Sequence, residues 1–197
     1  MLHIVKFPHP ALRFESVPVQ TIDAALRSQV RAMFDLMYEN RGVGLAANQV
    51  ALPFRFFILN ITADPAQADQ ERVFINPEIV KRHSATYEEE GCLSFPGLYG
   101  EVPRAKRIRV RAFDLAGQEV ELDADDLLGR AIQHETDHLA GKLFIDYFTP
   151  ELIKSSAKLV KDLEAQYRSD QASGTYPDDA TIVSGLRELA SRGAEGS

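Results

Sequence analysis

Apolar residues recur at helical spacing over Thr21–Asn40, where Ile22, Leu26, Val30, Met33 and Met37 share a face and Asn40 and Gly42 offer a stop, predicting a long amphipathic helix. Phe54–Ile61 is short and rich in aromatic and branched side chains and reads as a strand, with weaker strand signals over Arg72–Val80 and Ala85–Glu89. The polar Thr62–Gln70 stretch between them reads as an exposed loop. Arg107–Phe113 alternates strictly, with Ile108, Val110 and Ala112 on one side and Arg107, Arg109 and Arg111 on the other. Asp114-Leu115-Ala116-Gly117 then turns the chain into Gln118–Leu122, predicting a hairpin. Over Asp125–Leu139 the spacing is helical again: Leu127, Leu128, Ala131, Ile132 and Leu139 are apolar, and Gly141 ends the run. Thr149-Pro150-Glu151 supplies a cap, a first-turn proline and a first-turn acid for a helix reaching about Tyr167. Ser169–Gly174 reads as a polar linker. After Pro177, Ile182, Val183, Leu186 and Leu189 suggest one last short helix.

Strands come early and helices late, without regular alternation, so the expected class is α+β. The expectation is a single domain over residues 1–168, with antiparallel or mixed sheets around the Asp125–Leu139 helix and a C-terminal helix. Residues 169–197 are expected to form a linker and a short terminal helix or tail.

Composition narrows the functional classes. The chain has 197 residues, 45% hydrophobic and 26% charged, an ordinary globular balance that allows one sizeable core. No apolar run is long enough to span a bilayer, and the start, broken by Pro8 and Pro10, lacks a secretory layout. A net charge of −7 argues against general or sequence-specific nucleic-acid affinity. Cys92 is the only cysteine, so no internal disulfide forms, and the default location is cytoplasmic.

His134-Glu135-Thr136-Asp137-His138 is the densest chemistry in the chain. Histidines four residues apart stand on one helical face, where two imidazoles can hold one divalent ion and Glu135 can reach water beside it. Alone, the pattern also fits two surface histidines on an amphipathic helix. Catalytic metal sites usually have a third protein ligand. Leu139–Phe148 holds no further histidine, and Glu151 and Glu164 sit on a separate predicted helix, so a metallopeptidase completion is missing. Cys92, in Glu90-Gly91-Cys92-Leu93-Ser94, is the other candidate, although a lone cysteine is more often a buried small hydrophobe. A slim run, Gly42-Val43-Gly44-Leu45-Ala46-Ala47-Asn48-Gln49, is too irregular for a phosphate loop and alone reads as a turn.

Taken together, these three segments resemble the signatures of the peptide deformylases. Gly42–Gln49 is similar to Gly-x-Gly-x-Ala-Ala-x-Gln, Glu90–Ser94 to Glu-Gly-Cys-Leu-Ser, and Gln133–His138 carries His-Glu-x-Asp-His; the resemblance covers roughly Pro8–Phe148. It implies that Cys92, His134 and His138 are metal ligands and that Glu135 is the catalytic acid and base. Gln49 and the Leu93 backbone N–H become the oxyanion donors. The implied reaction is removal of the formyl group from N-formylmethionine on nascent peptides. The implied cofactor is one divalent ion, iron(II) physiologically, with zinc, nickel or cobalt also suited to a thiolate and two imidazoles.

A methionine side chain needs an apolar pocket beside that ion. Leu127, Arg130 and Ala131 share the histidines' helical face, and the resemblance adds Val43 and Gly44 beside it. Arg130 is expected to line the pocket with its stem and send its guanidinium to solvent. Tyr99 stands where some deformylases carry an arginine, a departure that bears on anchoring of the peptide main chain. Glu90 is a candidate partner for a ligand, and Asp137 could orient a ligand histidine or simply face solvent. His3, His9 and His83 read as structural or surface residues. The Arg107/Arg109/Arg111 stripe reads as a solvated strand face rather than an RNA contact. Lys154, Lys158 and Lys161 share one face of the Thr149-capped helix, while Leu152, Leu159 and Leu163 face the body; with Asp162 and Glu164 close by, that face reads first as a solvated one, and it is also a candidate contact for the ribosome surface.

Overall fold

Seven strands pair into two sheets, all antiparallel, in the computed structural model, which describes residues 2–194. The larger sheet has the order β1 (Gly44–Ala46), β2 (Phe56–Leu59), β3 (Arg72–His83), β6 (Arg107–Phe113) and β7 (Glu119–Asp125). The smaller pairs β4 (Thr86–Gly91) with β5 (Tyr99–Arg104). Alternation on β6 is realised as expected: Ile108, Val110 and Ala112 are buried, and the arginines face out. Each arginine meets an acid on β7, Arg107 with Asp125, Arg109 with Asp123 and Arg111 with Glu119. That pairing makes the strand face a salt-bridged, solvent-exposed one. β1 and β5 had no strand signal in the sequence, because β1 is three residues of the glycine-rich run and β5 contains Gly100 and Pro103.

Helix α1 (Ala24–Glu39) starts later than its apolar pattern, because the Asp23 side chain accepts from the Leu26 N–H at 2.8 Å and caps it there. Helix α2 (Asp126–Leu139) packs against the large sheet, with Ile132 and Leu139 fully buried among Phe57, Leu59 and Ile108. It is therefore the central helix, and its first turns open beside the small sheet. Among the described residues no helix is long and apolar enough to cross a membrane.

Thr149 caps helix α3 (Pro150–Ala172), which runs past Tyr167 and absorbs most of the Ser169–Gly174 stretch expected to be a linker. Polar composition did not end it, because its side chains bond within the helix: Gln166 to Asp170 and Arg168 to Gln171. Helix α4 (Asp179–Ala194) docks on the body, since Leu186 is buried with Leu12, Phe95 and Phe144 and the Tyr167 hydroxyl donates to Asp179 at 2.8 Å. Positions 195–197, part of the expected linker, helix or tail, lie outside the described residues.

Candidate metal centre and active site

Helical spacing on α2 places the His134 and His138 rings 4.9 Å apart, and the turn after β4 brings Cys92 to them. Cys92 Sγ lies 3.3 Å from His138 Nε2, and donor atoms of Cys92, His134 and His138 all fall within 4.8 Å of one another. One thiol and two buried imidazoles are a donor set for a divalent transition ion. Glu135, between the histidines, is buried, and its Oε2 has no hydrogen-bond partner. Burial raises its pKa to about 7, against the lowering influence of His134. An orphaned carboxylate oxygen beside such a donor set fits a centre completed by a cation and water.

A buried ionic network holds His134 from behind. Glu90 Oε2 lies 3.0 Å from His134 Nδ1, while Glu90 also accepts from Arg104 Nε at 2.8 Å and Arg130 Nη1 at 2.8 Å. Burial alone would raise the Glu90 pKa, but its bonds to His134 and Arg104 prevail and lower it to about 2. Burial likewise opposes charge on His134, yet bonds to Cys92 and Glu90 push its pKa well up, whereas burial pushes that of His138 well down. Asp137 bonds to neither His134 nor His138: its side chain takes Arg104 and the Tyr147 hydroxyl, and so reaches the donor set only through the arginine.

Gly44 and Gln49 enter from the opposite wall. A Cβ on Gly44 would sit 2.6 Å from Glu135 Oε1 and 2.5 Å from Leu59 Cδ2, so only glycine lets the strand pass this close to the carboxylate. The Gln49 side-chain Oε1 accepts from the Ala46 N–H at 2.8 Å, which turns its amide N–H₂ toward Cys92 Sγ at 3.4 Å and Ser94 Oγ at 3.2 Å.

These groups open into a cleft of about 550 Å³. Val43, Gly44, Gln49, Cys92, Leu93, Leu127, Arg130, Ala131, His134 and Glu135 all line it, so the sequence candidates converge except His138, which lies deeper. Leu127 is 49% exposed, and Tyr99 is exposed at the cleft wall. Arg130 corrects the expectation: its guanidinium does not reach solvent but is buried on Glu90 and the Val102 carbonyl. Sequence reasoning missed Arg104, Ser94 and Lys6. A buried glutamate demands a countercharge, but nothing local pointed to the arginine on an unrecognised strand.

A cleft-lining thiol, two buried imidazoles and a buried carboxylate on an α+β scaffold fit a metal-dependent hydrolase. A family model described as polypeptide deformylase matches residues 1–154. A peptide deformylase of Rhodopirellula baltica is 44% identical over 182 residues, covering 92% of this chain and 90% of that protein. Peptide deformylase 2 of Xanthomonas campestris is 45% identical, covering 82% and 97%. Among solved structures, a plant peptide deformylase superposes with a TM-score of 0.84 at 37% identity, covering 87% of this chain and 93% of that one. A Plasmodium falciparum peptide deformylase gives 0.82 at 38%, covering 84% and 97%. The chain belongs to the polypeptide deformylase family, enzymes that hydrolyse the N-formyl group from polypeptides.

Proposed function

We propose that this chain deformylates N-formylmethionyl nascent peptides in the cytoplasm, with Cys92, His134 and His138 holding one divalent ion, iron(II) foremost and zinc, nickel or cobalt as substitutes. The observation that carries this reading is the buried Glu135 carboxylate, one oxygen of it unpartnered, beside the three donors. When bound, the ion lowers the pKa of water towards neutrality. Glu135 takes the proton of the attacking water and delivers it to the departing amine as the C–N bond breaks, leaving formate and a free amino terminus. Gln49 Nε2 and the Leu93 N–H donate to the formyl oxygen as it gains negative charge. Val43, Gly44, Leu127 and Ala131 border the methionine side chain, with Arg130 as a buried wall rather than a solvent-reaching stem. The catalytic unit is residues 1–168; α4 braces it through Leu186 and Asp179.

The test is anaerobic metal analysis combined with formate release from formyl-Met-Ala-Ser, against the acetylated peptide as control. Stoichiometric metal without formate release rejects the reading; release from the formyl peptide alone supports it. Docking on the ribosome extends the same proposal. Lys154, Lys158 and Lys161 are all exposed on α3, although Lys158 pairs with Asp162 at 2.8 Å, while Leu152, Leu159 and Leu163 pack inward. Replacing the three lysines with glutamate should abolish low-salt cosedimentation with ribosomes and spare peptide activity. Cosedimentation that survives the change rejects docking through this face.

A further inference from the structure

The chain's amino-terminal segment runs between the two walls that carry Gln49 and Leu93. Val5 N–H donates to the Gln49 carbonyl at 2.9 Å, and Phe7 N–H donates to the Ser94 carbonyl at 3.0 Å. Between them Lys6 Nζ donates to the Leu93 carbonyl at 2.6 Å, from a half-buried position on the wall of the active cleft. Three consecutive residues thus splint both segments. Val5 is fully buried and Phe7 stacks on Phe95 with ring centroids 4.9 Å apart, so the backbone is anchored on either side of Lys6.

We propose that Lys6 is a positioning residue for deformylation, its ammonium fixing the Leu93 peptide so that the Leu93 N–H is aimed at the formyl oxygen. This rests on the role given to Leu93 above. Two peptide planes meet at the Leu93 Cα. The first, which contains the Leu93 N–H, is held through its carbonyl, since Cys92 O accepts from Phe95 N–H at 2.9 Å. The second contains the Leu93 carbonyl and is held by Lys6. With both planes pinned, the N–H keeps its direction without reorganising as charge develops. A charge-assisted bond suits this task, being roughly twice as strong as a neutral one. Structural clamping of the amino terminus needs no lysine here, because Val5, Phe7 and the Phe7–Phe95 stack already supply it. Burial lowers the Lys6 pKa, so the ammonium is held at this wall against its own desolvation.

The test is Lys6→Met and Lys6→Arg in the metal-loaded enzyme, assayed by formate release from formyl-Met-Ala-Ser with metal content and thermal midpoint in parallel. Removing one oxyanion donor typically costs about 10²–10³ in kcat; a misaimed donor costs less, so Lys6→Met should lose roughly 10- to 100-fold. KM, metal content and thermal midpoint should stay close to wild type, and Lys6→Arg should recover most of kcat. A kcat for Lys6→Met within twofold of wild type, a loss that follows metal content, or a loss that arginine does not repair overturns the proposal. Should Lys6→Met fail to fold, Lys6→Gln is read in its place by the same thresholds. An inactive wild type would instead reject the deformylase reading itself.

Discussion

Glu90 Oε2 lies 3.0 Å from His134 Nδ1 and so engages one ring nitrogen and leaves the other, Nε2, free to bind an ion. With Nδ1–H donated to the carboxylate, the neutral ring keeps its Nε2 lone pair available to an ion, and it cannot rotate without breaking a buried hydrogen bond. The carboxylate is held in turn by Arg104 and Arg130. Ligand geometry on α2 is therefore set from β4 and β5.

Glu90→Gln should destabilise the fold by on the order of 3 kcal/mol, because it removes the buried charge shared by Arg104 and Arg130 and leaves them only Asp137 and the exposed Glu88. A loss of that size lowers the thermal midpoint by roughly 10 °C in a domain this large. The folded pKa of Glu90, about 2, lies below its ordinary 4.5, so its stabilisation is present above about pH 4.5 and lost as pH falls towards 2. Urea titrations of both proteins should differ at pH 7 and converge near pH 2; a constant gap would assign the loss to packing.

Glu135→Ala should keep the metal and lose about two to four decades of kcat, the usual contribution of a general acid–base group. More than a tenth of wild-type turnover in a metal-replete mutant would remove Glu135 from that role. The isosteric Glu135→Gln adds a pH test in protein stripped by a chelator. The folded pKa of Glu135 is raised from 4.5 to about 7, so its contribution to stability is present below about pH 4.5 and lost as pH rises through 7. Chelated Glu135→Gln should thus exceed wild type at pH 8.5 by on the order of 3 kcal/mol and match it at pH 4.5.

Cys92→Ser should weaken metal binding or change which ion is retained, since a hydroxyl is a much poorer ligand than a thiolate. Cobalt-substituted wild type should show a sulfur-to-metal charge-transfer band that the mutant lacks. An unaltered spectrum would return Cys92 to the core as a small hydrophobe.

Gly44→Ala should lower kcat with little change in metal content. Its Cβ meets Glu135 Oε1 at 2.6 Å and Leu59 Cδ2 at 2.5 Å, so the carboxylate must shift. A 1 Å displacement of a reacting group can cost about a hundredfold in rate. Crystals of the variant with Glu135 unmoved and full activity would show that the strand yields instead.

The sequence by itself determined α1, α2, the β6–β7 hairpin and the capped start of α3, because each follows from local periodicity or a cap. It also placed both imidazoles on one helical face, since four residues make just over one turn. The motif segments pointed to Gln49 by resemblance alone and favoured Cys92, already a candidate third ligand, and the fold brings both to that face. Only the tertiary structure decided how the charges behind the site are satisfied. Arg104 comes from a strand interrupted by Gly100 and Pro103, Arg130 turns inward to Glu90, and Lys6 reaches a carbonyl 87 residues away. It likewise carried α3 through a polar stretch and docked α4 through Leu186. Spacing along a chain reports which side chains share a face. Whether a buried charge finds its partner, or a polar segment stays helical, depends on the elements that pack against it, and those lie far away in sequence.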